Sequence, residues 1–277
     1  MEECNTSPTP TLASPISKDN EGDPFTDTWE YATVVGMLMF LASNSRPDIA
    51  YAVHQCARFT HSPKQSHGAA VKRILRYLKG TRTKGMILTP NNKLSVDCFV
   101  DADFAGLWSY EDEQDAISVK SRSGFLLMFM GCPLIWGSKL QTQIALSTME
   151  AEYIALSLAM RELIGLRELL KDIYTTVLND PKGLEEINYN TISKTFGEIP
   201  QSIVHEDNQA CLKFASIPRM SPRTKHIAIP YHFFRAKVEE LEIKVIAMNT
   251  ENQLADQFTK GLSQPKFVSD RKRLMGW

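Results

Sequence analysis

Four acidic side chains of this 277-residue chain sit in local patterns that could assemble a cation site. They are Asp101 in VDADFAG, Glu152 in STMEAEYIAL, Asp207 in VHEDNQA and Asp256 in NQLADQFTK. Carboxylate oxygens suit hard divalent cations. Two such ions about 4 Å apart are the usual machinery for cutting a phosphodiester. The chemistry to expect is metal-assisted phosphodiester hydrolysis, with two Mg2+ ions as cofactor and Mn2+ as a substitute.

Each acid also has a plainer reading. Glu150 and Glu152 open a long helix and would complement its macrodipole, worth about 0.3–1 kcal/mol. Asp207 fits the N-cap of the helix that follows it. Asp256 fits a helix-surface acid. Placement favours a joint role, because Asp101 and Asp207 each end an apolar run. Open α/β folds put their sites at the carboxyl ends of such strands. The helical repeat separates Glu150 from Glu152 by about 200°. Leu156, Met160, Leu163, Leu166 and Leu170 form the apolar stripe, and Glu152 stands one turn before Leu156 on it. Glu152 is therefore the ligand, and Glu150 faces solvent or supports the site. Asp101 and Asp103 share a strand face. If the strand ends near Asp101, Asp103 falls in the turn.

The elements that must position these acids follow from texture. Residues 1–25 are rich in Ser, Thr, Pro and Asn and are expected to be disordered. Tyr31, Val34, Val35, Leu38 and Leu41 give a helix beginning near Thr28. Pro47 opens a second helix over Asp48–Phe59. A third runs over Lys64–Leu78 and stops at Gly80. Together they predict a small helical unit over residues 26–90, without an acid–base constellation. Met86–Leu88, Leu94–Asp101, Gly124–Met130, Leu134–Gly137, Thr142–Leu146, Ser202–Glu206 and Ile243–Ala247 read as strands. Helices are expected over Thr148–Tyr174, Asn208–Phe214, Tyr231–Leu241, Gln253–Lys260 and Pro265–Met275. The polar stretch 178–200 has no periodicity and reads as a surface insertion. Hairpin strands first, then strands with crossover helices, predict an α/β domain over 91–277 with a mixed sheet.

Composition narrows the class. Hydrophobic content is 43%, charged content 23% and net charge −1, ordinary for a soluble globular chain. No apolar run is long enough to span a bilayer. No signal-peptide layout opens the chain. A cytoplasmic or nuclear protein, not secreted and without a membrane partner, is expected. The five cysteines are scattered, with no CxxC pair, and no HxxxH or HExxH spacing occurs, so neither a disulfide framework nor zinc is expected. Lys72, Arg73, Arg76, Lys79, Arg82 and Lys84 crowd one segment, while Lys120, Arg122, Arg223 and Lys225 flank the acid-bearing segments. A basic track beside an acidic metal site suits a polyanion. Solvated helix faces explain any single cluster equally well. Ser123, Asn208 and Gln209 are the polar candidates for contacting nucleic acid near the acids. Lys72, Arg73 and Arg76 are the candidates for tracking its phosphates. His205, His226 and His232 are expected to be structural, with His205 bordering the site.

The stretches VDADFAGLW, KSRSGFLLMF, PLIWGSKLQTQIALSTMEAEYIALS, HEDNQACL, SPRTKHIAIPYHFFRAKV and ENQLADQFTKGLS occur in that order between residues 94 and 277. They resemble the C-terminal part of the Pol polyprotein of copia-type retrotransposons. Upstream, VVGMLMFLASNSRPDIAYAVHQCARFTHSPKQSH and RILRYLKGT resemble the segment joining that family's reverse transcriptase to its ribonuclease H. The resemblance implies a ribonuclease H-like five-stranded mixed sheet flanked by helices, behind a reverse transcriptase tail. It implies that Asp101, Glu152, Asp207 and Asp256 are the metal-binding catalytic acids of a ribonuclease H. The substrate would be an RNA–DNA hybrid, and the remainder of a Pol polyprotein would be the partner. Two departures stand out. STMEAEY replaces the commoner SSTEAEY. The loop Asn249-Thr250-Glu251-Asn252 holds no histidine where cellular ribonucleases H carry a catalytic one. No YxDD motif is present, so DNA synthesis is not expected. The alternative is a silent or domesticated remnant serving as a nucleic-acid-binding or structural module. Its support is the missing polymerase, and the four intact acids oppose it. A transposase or integrase of related fold places its Glu after both Asp residues. Glu152 lies between Asp101 and Asp207, which opposes that class.

Overall fold

The computed structural model describes residues 3–108, 115–179, 199–216, 235–240 and 242–277. Five strands form one mixed sheet: β1 (Val96–Asp103), β2 (Arg122–Phe129), β3 (Cys132–Leu140), β4 (Ser202–Glu206) and β5 (Ile243–Ala247). Their order across the sheet is β3-β2-β1-β4-β5. The first three pair antiparallel, while β4 runs parallel to both β1 and β5. This is the mixed α/β architecture expected of a ribonuclease H-like fold.

Alternation along β1 decides what each face carries. Val96, Cys98, Val100 and Ala102 point to one side, and Phe99 points to the other with the acids. The first side is covered by the long α4 (Thr148–Asn179). Leu156, Met160, Leu163 and Leu166 are buried there, which is the predicted stripe. The short α5 (Gln209–Ser216) and α6 (Arg235–Glu239) lie between β4 and β5 in sequence. Among the described residues, no helix is long and apolar enough to cross a membrane.

The second side carries α1 (Tyr31–Asn44), a 3-10 turn (Pro47–Ile49) running into α2 (Ala50–Ala57), and α3 (Gln65–Gly80). The C-terminal α7 (Asp256–Thr259) and α8 (Gln264–Met275) join them. Tyr31, Leu38, Val53 and Ile74 share one core with Phe99, Leu126 and Met128 of the sheet and with Phe258 and Leu274. The helices predicted for 26–90 are thus present. They pack on the sheet instead of standing as a unit with its own core, because Phe99, Leu126 and Met128 would otherwise be bare. Within this layer Asp48 accepts hydrogen bonds from Arg46 Nε at 2.9 Å, Arg46 Nη2 at 2.8 Å and Tyr77 Oη at 2.5 Å.

Several local expectations are corrected. Met86–Leu88 is not a strand. The Ile87 amide donates to the Met275 carbonyl at 3.0 Å, and Trp277 Nε1 donates to the Gly85 carbonyl at 2.8 Å, so its partner is the C-terminal tail. Leu134–Gly137 and Thr142–Leu146 are not two strands. One strand, β3, spans Cys132–Leu140, and residues 141–147 are irregular. The turn before it needs left-handed backbone at both Met130 (φ 52°) and Gly131 (φ 81°), which closes β2 tightly onto β3. Residues 3–25, expected to be disordered, lie against α3 as an irregular segment. Side-chain bonds fix it there: Arg73 to Thr9 Oγ1 at 2.8 Å, Lys79 to the Cys4 carbonyl at 2.7 Å, and His67 Nε2 to the Ser17 carbonyl at 2.9 Å. Composition missed this because the partners are polar groups distant in sequence. Most of the predicted insertion 178–200, and residues 231–234 and 241 of the predicted helix Tyr231–Leu241, lie outside the described residues.

Candidate metal centre

Asp101 stands near the end of β1, opposite Gly124 of β2. Glu152 is in the first turns of α4, and Asp207 follows the last residue of β4. Each offers a carboxylate oxygen, and the three oxygens lie within 4.8 Å of one another. Asp256 joins through a cation. Lys260 Nζ, one helical turn on, is 2.8 Å from Asp256 Oδ1 and 3.6 Å from Asp101 Oδ2. All four acids predicted from their motifs are thus connected at one edge of the sheet.

Local chemistry explains why these acids are presented and their neighbours are not. Glu150 turns back to accept from the Leu146 amide at 2.9 Å, while its own amide donates to Ser147 Oγ at 3.2 Å. That is a capping arrangement at the start of α4, and it leaves Glu152 alone on the inward stripe. Asn208, not Asp207, caps α5, its Oδ1 accepting from the Cys211 amide at 3.0 Å. Asp207 is therefore available, and Thr250 Oγ1 donates to its Oδ2 at 2.8 Å. Thr250 belongs to the loop that lacks histidine, so this loop supplies a hydroxyl instead. Thr259 Oγ1 donates to Asp101 Oδ2, which orients that carboxylate.

Three participants escaped the sequence reading. Lys260 and Thr259 lie in the quoted motif ENQLADQFTKGLS, yet only the turn of α7 reveals their direction. Glu206 is the third. It alternates with Ser202 and Val204 on the buried face of β4 and has no exposed surface. A count of alternate residues along SIVHE would have flagged a carboxyl on an apolar face.

Burial dominates the electrostatics. It pushes the Glu152 carboxyl up to about 11, with further lifts from Glu206, Asp101 and Asp207. Burial also raises Glu206 well above its ordinary value, against the Asn208 amide that lowers it. Asp101 is raised by burial, opposed by Lys260 and helped upward by Asp256. For Lys260, burial works against the charge, but Asp101 and Asp256 outweigh it and raise its pKa. Glu152 Oε2 and Glu206 Oε2 are buried with no hydrogen-bond partner among the described residues. A crowded, buried, under-bonded carboxylate set is what a hard cation would satisfy, so Asp101, Glu152, Asp207 and Asp256 fit divalent ions.

This arrangement fixes the sign of a pH effect. Unfolded, the Glu152 carboxyl releases its proton near 4.5, while in the fold it holds it to about 11. The folded chain binds more protons between those limits, so its stability falls as pH rises. Asp101, Glu206 and Asp256 shift in the same direction. The lowered acids Asp27, Asp115 and Glu242 are solvent-facing and act only toward acid pH. His54, held down at about 4 by burial, works the other way below about pH 6.5. Without divalent ions, the melting temperature should therefore decline from about pH 7 to about pH 9, and Mg2+ should restore it most at the alkaline end. A flat or rising profile in chelator would contradict the buried carboxylate pair.

Gly124 sets how near α7 can come. A Cβ there would stand 2.7 Å from Thr259 Cγ2, 2.9 Å from Phe258 Cβ and 3.0 Å from the Ala255 carbonyl. Gly124→Val should therefore displace the helix that carries Asp256, Thr259 and Lys260. The expected cost is about 1–3 kcal/mol by denaturant midpoint, with a loss of Mg2+ affinity measured by calorimetry. Unchanged values for both would mean that α7 tolerates a gap from the sheet.

The candidate nucleic-acid contacts fare unevenly. Ser123 is buried and accepts from Gln141 Nε2 at 2.9 Å, and the same nitrogen donates to the Ala151 carbonyl at 2.9 Å, which braces the chain between β3 and α4. Asn208 is half-buried as a cap, and Gln209 is exposed. Lys72 pairs with Asp27 at 2.6 Å, Arg73 bonds Thr9, and the Arg76 carbonyl accepts from the Ser7 amide at 3.4 Å. The N-terminal segment thus lies along the basic face of α3 that was expected to be open. Arg122 is buried, bonding Ser138 Oγ at 3.2 Å. His205 stacks on Phe99 at 4.5 Å and meets Asp97 at 3.0 Å, a structural role. Arg223, Lys225, His226 and His232 lie outside the described residues.

No family model matches the chain. It is 34% identical over 259 residues to the retrovirus-related Pol polyprotein from transposon RE1 of Arabidopsis thaliana, covering 94% of this chain and 16% of that protein. It is 34% identical over 237 residues to the retrovirus-related Pol polyprotein from transposon TNT 1-94 of Nicotiana tabacum, covering 86% of this chain and 16% of that protein. It is also 39% identical over 136 residues to the secreted RxLR effector protein 161 of Plasmopara viticola, covering 90% of that protein but only 49% of this chain. The two Pol matches cover 94% and 86% of this chain, against about half for the effector match. The chain spans about a sixth of the length of these Pol relatives, 16% in each.

Proposed function

Because the chain belongs to the retrovirus-related Pol polyproteins of copia-type transposons, we propose that its acidic centre is a ribonuclease H that cuts the RNA strand of RNA–DNA hybrids. The carrying observation is the meeting of Asp101, Glu152 and Asp207 oxygens within 4.8 Å at one sheet edge. A pair of Mg2+ ions, when bound, would supply an activated water and neutralise charge on the leaving 3′ oxygen. Asp101, the carboxylate common to the triad and to Lys260, would be one of the groups that hold the ions. Glu152, Asp207 and Asp256 would complete the oxygen set. Thr259 orients Asp101 and Thr250 orients Asp207, so neither has to find its rotamer when the substrate arrives. Glu152 holds a proton in the metal-free fold and must release it, which makes loading weaker at acid pH. Lys260 competes with ions for the same oxygens of Asp101 and Asp256. Selectivity would come from hybrid shape and 2′-hydroxyls, since A-form grooves offer side chains little base readout. Asn208 and Gln209, beside Asp207, are the polar groups best placed to meet a strand. The partner in this setting would be the remainder of a Pol chain.

The test is cleavage of an end-labelled hybrid by the pure protein with Mg2+, with Asp101→Asn as the control. Products confined to the RNA strand and dependent on Mg2+ are expected. Binding of the hybrid without any Mg2+-dependent product would overturn the nuclease and leave the silent nucleic-acid-binding remnant.

A further inference from the structure

A cavity of about 530 Å3 lies away from the acids, lined among others by Lys18, Arg58, Phe59, His61, Lys64 and Leu140. We propose that it binds the sugar–phosphate backbone of the nucleic acid docked at the acidic centre, a proposal that rests on the ribonuclease H reading. Three permanent cations line it against one carboxylate, Asp115, and that carboxylate is held by Lys18 at 3.1 Å. Lys64 Nζ donates to a neutral acceptor, the Gly22 carbonyl, at 2.9 Å, and so keeps its full charge for a ligand. Phe59 gives an apolar floor, stacked on His67 at 3.9 Å with the Arg58 guanidinium 4.9 Å from its ring. Cations over an aromatic floor suit a phosphate with its sugar.

Register puts this cavity at the same edge of the sheet as the acids. Asp103, two residues beyond Asp101, pairs with Arg122, and Arg122 pairs with Leu140 in the cavity wall. Two strand spacings amount to roughly 10 Å, or about three base-pair steps of a duplex. Between them lie Asp103 and the buried Arg122. Arg122 lies 5.5 Å from the Tyr51 ring. Burial, together with the nearby Arg58 charge, pushes its pKa down to about 10. On the opposite flank of the sheet, a cavity of about 270 Å3 is lined mainly by apolar groups such as Leu212, Ala215, Val238 and Val245. A polyanion held at the acids is therefore drawn toward β3, not β5. The wall is built and fixed: Arg58 Nη1 donates to the Ile16 carbonyl at 3.2 Å, and His67 Nε2 meets the Ser17 carbonyl at 2.9 Å. The N-terminal segment thereby gains a role, as one side of the cleft.

The experiment measures affinity of the full chain for a short RNA–DNA hybrid in chelator across a salt series, alongside Mg2+-dependent cleavage at saturating hybrid. His61→Glu and Lys64→Gln should each weaken binding severalfold and flatten the dependence of log affinity on log salt by about one contact. Cleavage at saturation should stay within about twofold. Lys93→Gln, before β1 at the far end of the sheet, should change neither. If Lys64→Gln loosens the N-terminal wall, seen as a lower melting temperature, the exposed His61 carries the test alone. Affinity and salt slope equal to those of Lys93→Gln in both variants would overturn the site while leaving the nuclease standing. Hybrid bound through these residues yet never cut would overturn the nuclease and leave the site. Absence of hybrid binding by any form would overturn both.

Discussion

Asp101→Asn should lower Mg2+-dependent cleavage of an RNA–DNA hybrid by about a thousandfold or more, a loss of roughly 4 kcal/mol of transition-state stabilisation. The substitution is nearly isosteric. It keeps an oxygen for Thr259 Oγ1 but removes the negative charge that lies 3.6 Å from Lys260 Nζ and within 4.8 Å of the oxygens of Glu152 and Asp207. A carboxamide holds divalent ions far more weakly than a carboxylate, so calorimetric Mg2+ binding should fall with the rate. Glu152→Gln should lose activity comparably while leaving the metal-free fold as stable or more stable above neutral pH. There the wild-type carboxyl carries a proton that pH is working to remove. Cleavage by Asp101→Asn within about tenfold of wild type would show that the acids do not hold the reacting ions. Loss of stability in Glu152→Gln, instead of loss of activity, would recast that acid as a structural group.

Asp48→Ala should destabilise the protein by about 3–5 kcal/mol, the largest loss expected from one substitution outside the metal centre. Asp48 has a fully buried side chain, and the Arg46 side chain paired with it is only 8% exposed. The carboxylate accepts two hydrogen bonds from the guanidinium and one from Tyr77. Removing it strands a buried cation whose other contacts include the Thr81 hydroxyl at 2.8 Å, the Thr81 carbonyl at 3.5 Å and the rings of Tyr77 and Trp277 at 5.5 and 5.7 Å. Arg46 therefore ties the 3-10 turn before α2 to α3 and to the C-terminal tryptophan, and an unpaired charge there should loosen all three. Arg46→Met with Asp48→Leu should recover much of the loss, because the cost arises from the orphaned charge. Denaturant midpoints for the single and double variants measure it. A change under about 1 kcal/mol for Asp48→Ala would mean that water reaches the site.

Much of the architecture was legible in advance because apolar periodicity is a local signal. The stripe from Leu156 to Leu166 named α4 and its inward face, and the apolar runs ending at Asp101 and Glu206 named β1 and β4. Errors came where the partner is remote. Met86–Leu88 has strand-like residues, but its backbone meets the C-terminal tail, which no local pattern encodes. The stretch after Pro133 reads as two strands, and only pairing with β2 makes it one. Residues 3–25 have the composition of a disordered chain, yet Arg73, His67 and Lys79 hold them with single polar bonds.

For the site, residue types and the motifs around them singled out four candidate carboxylates, and the helical repeat favoured Glu152 over Glu150. Only the tertiary structure could decide that Asn208 takes the capping role from Asp207, that Lys260 links Asp101 to Asp256, and that Glu206 shares the buried face with Glu152. A motif records chemical identity along one dimension. The distance between side chains on different elements depends on strand order and on how closely α7 approaches Gly124, and those are products of packing.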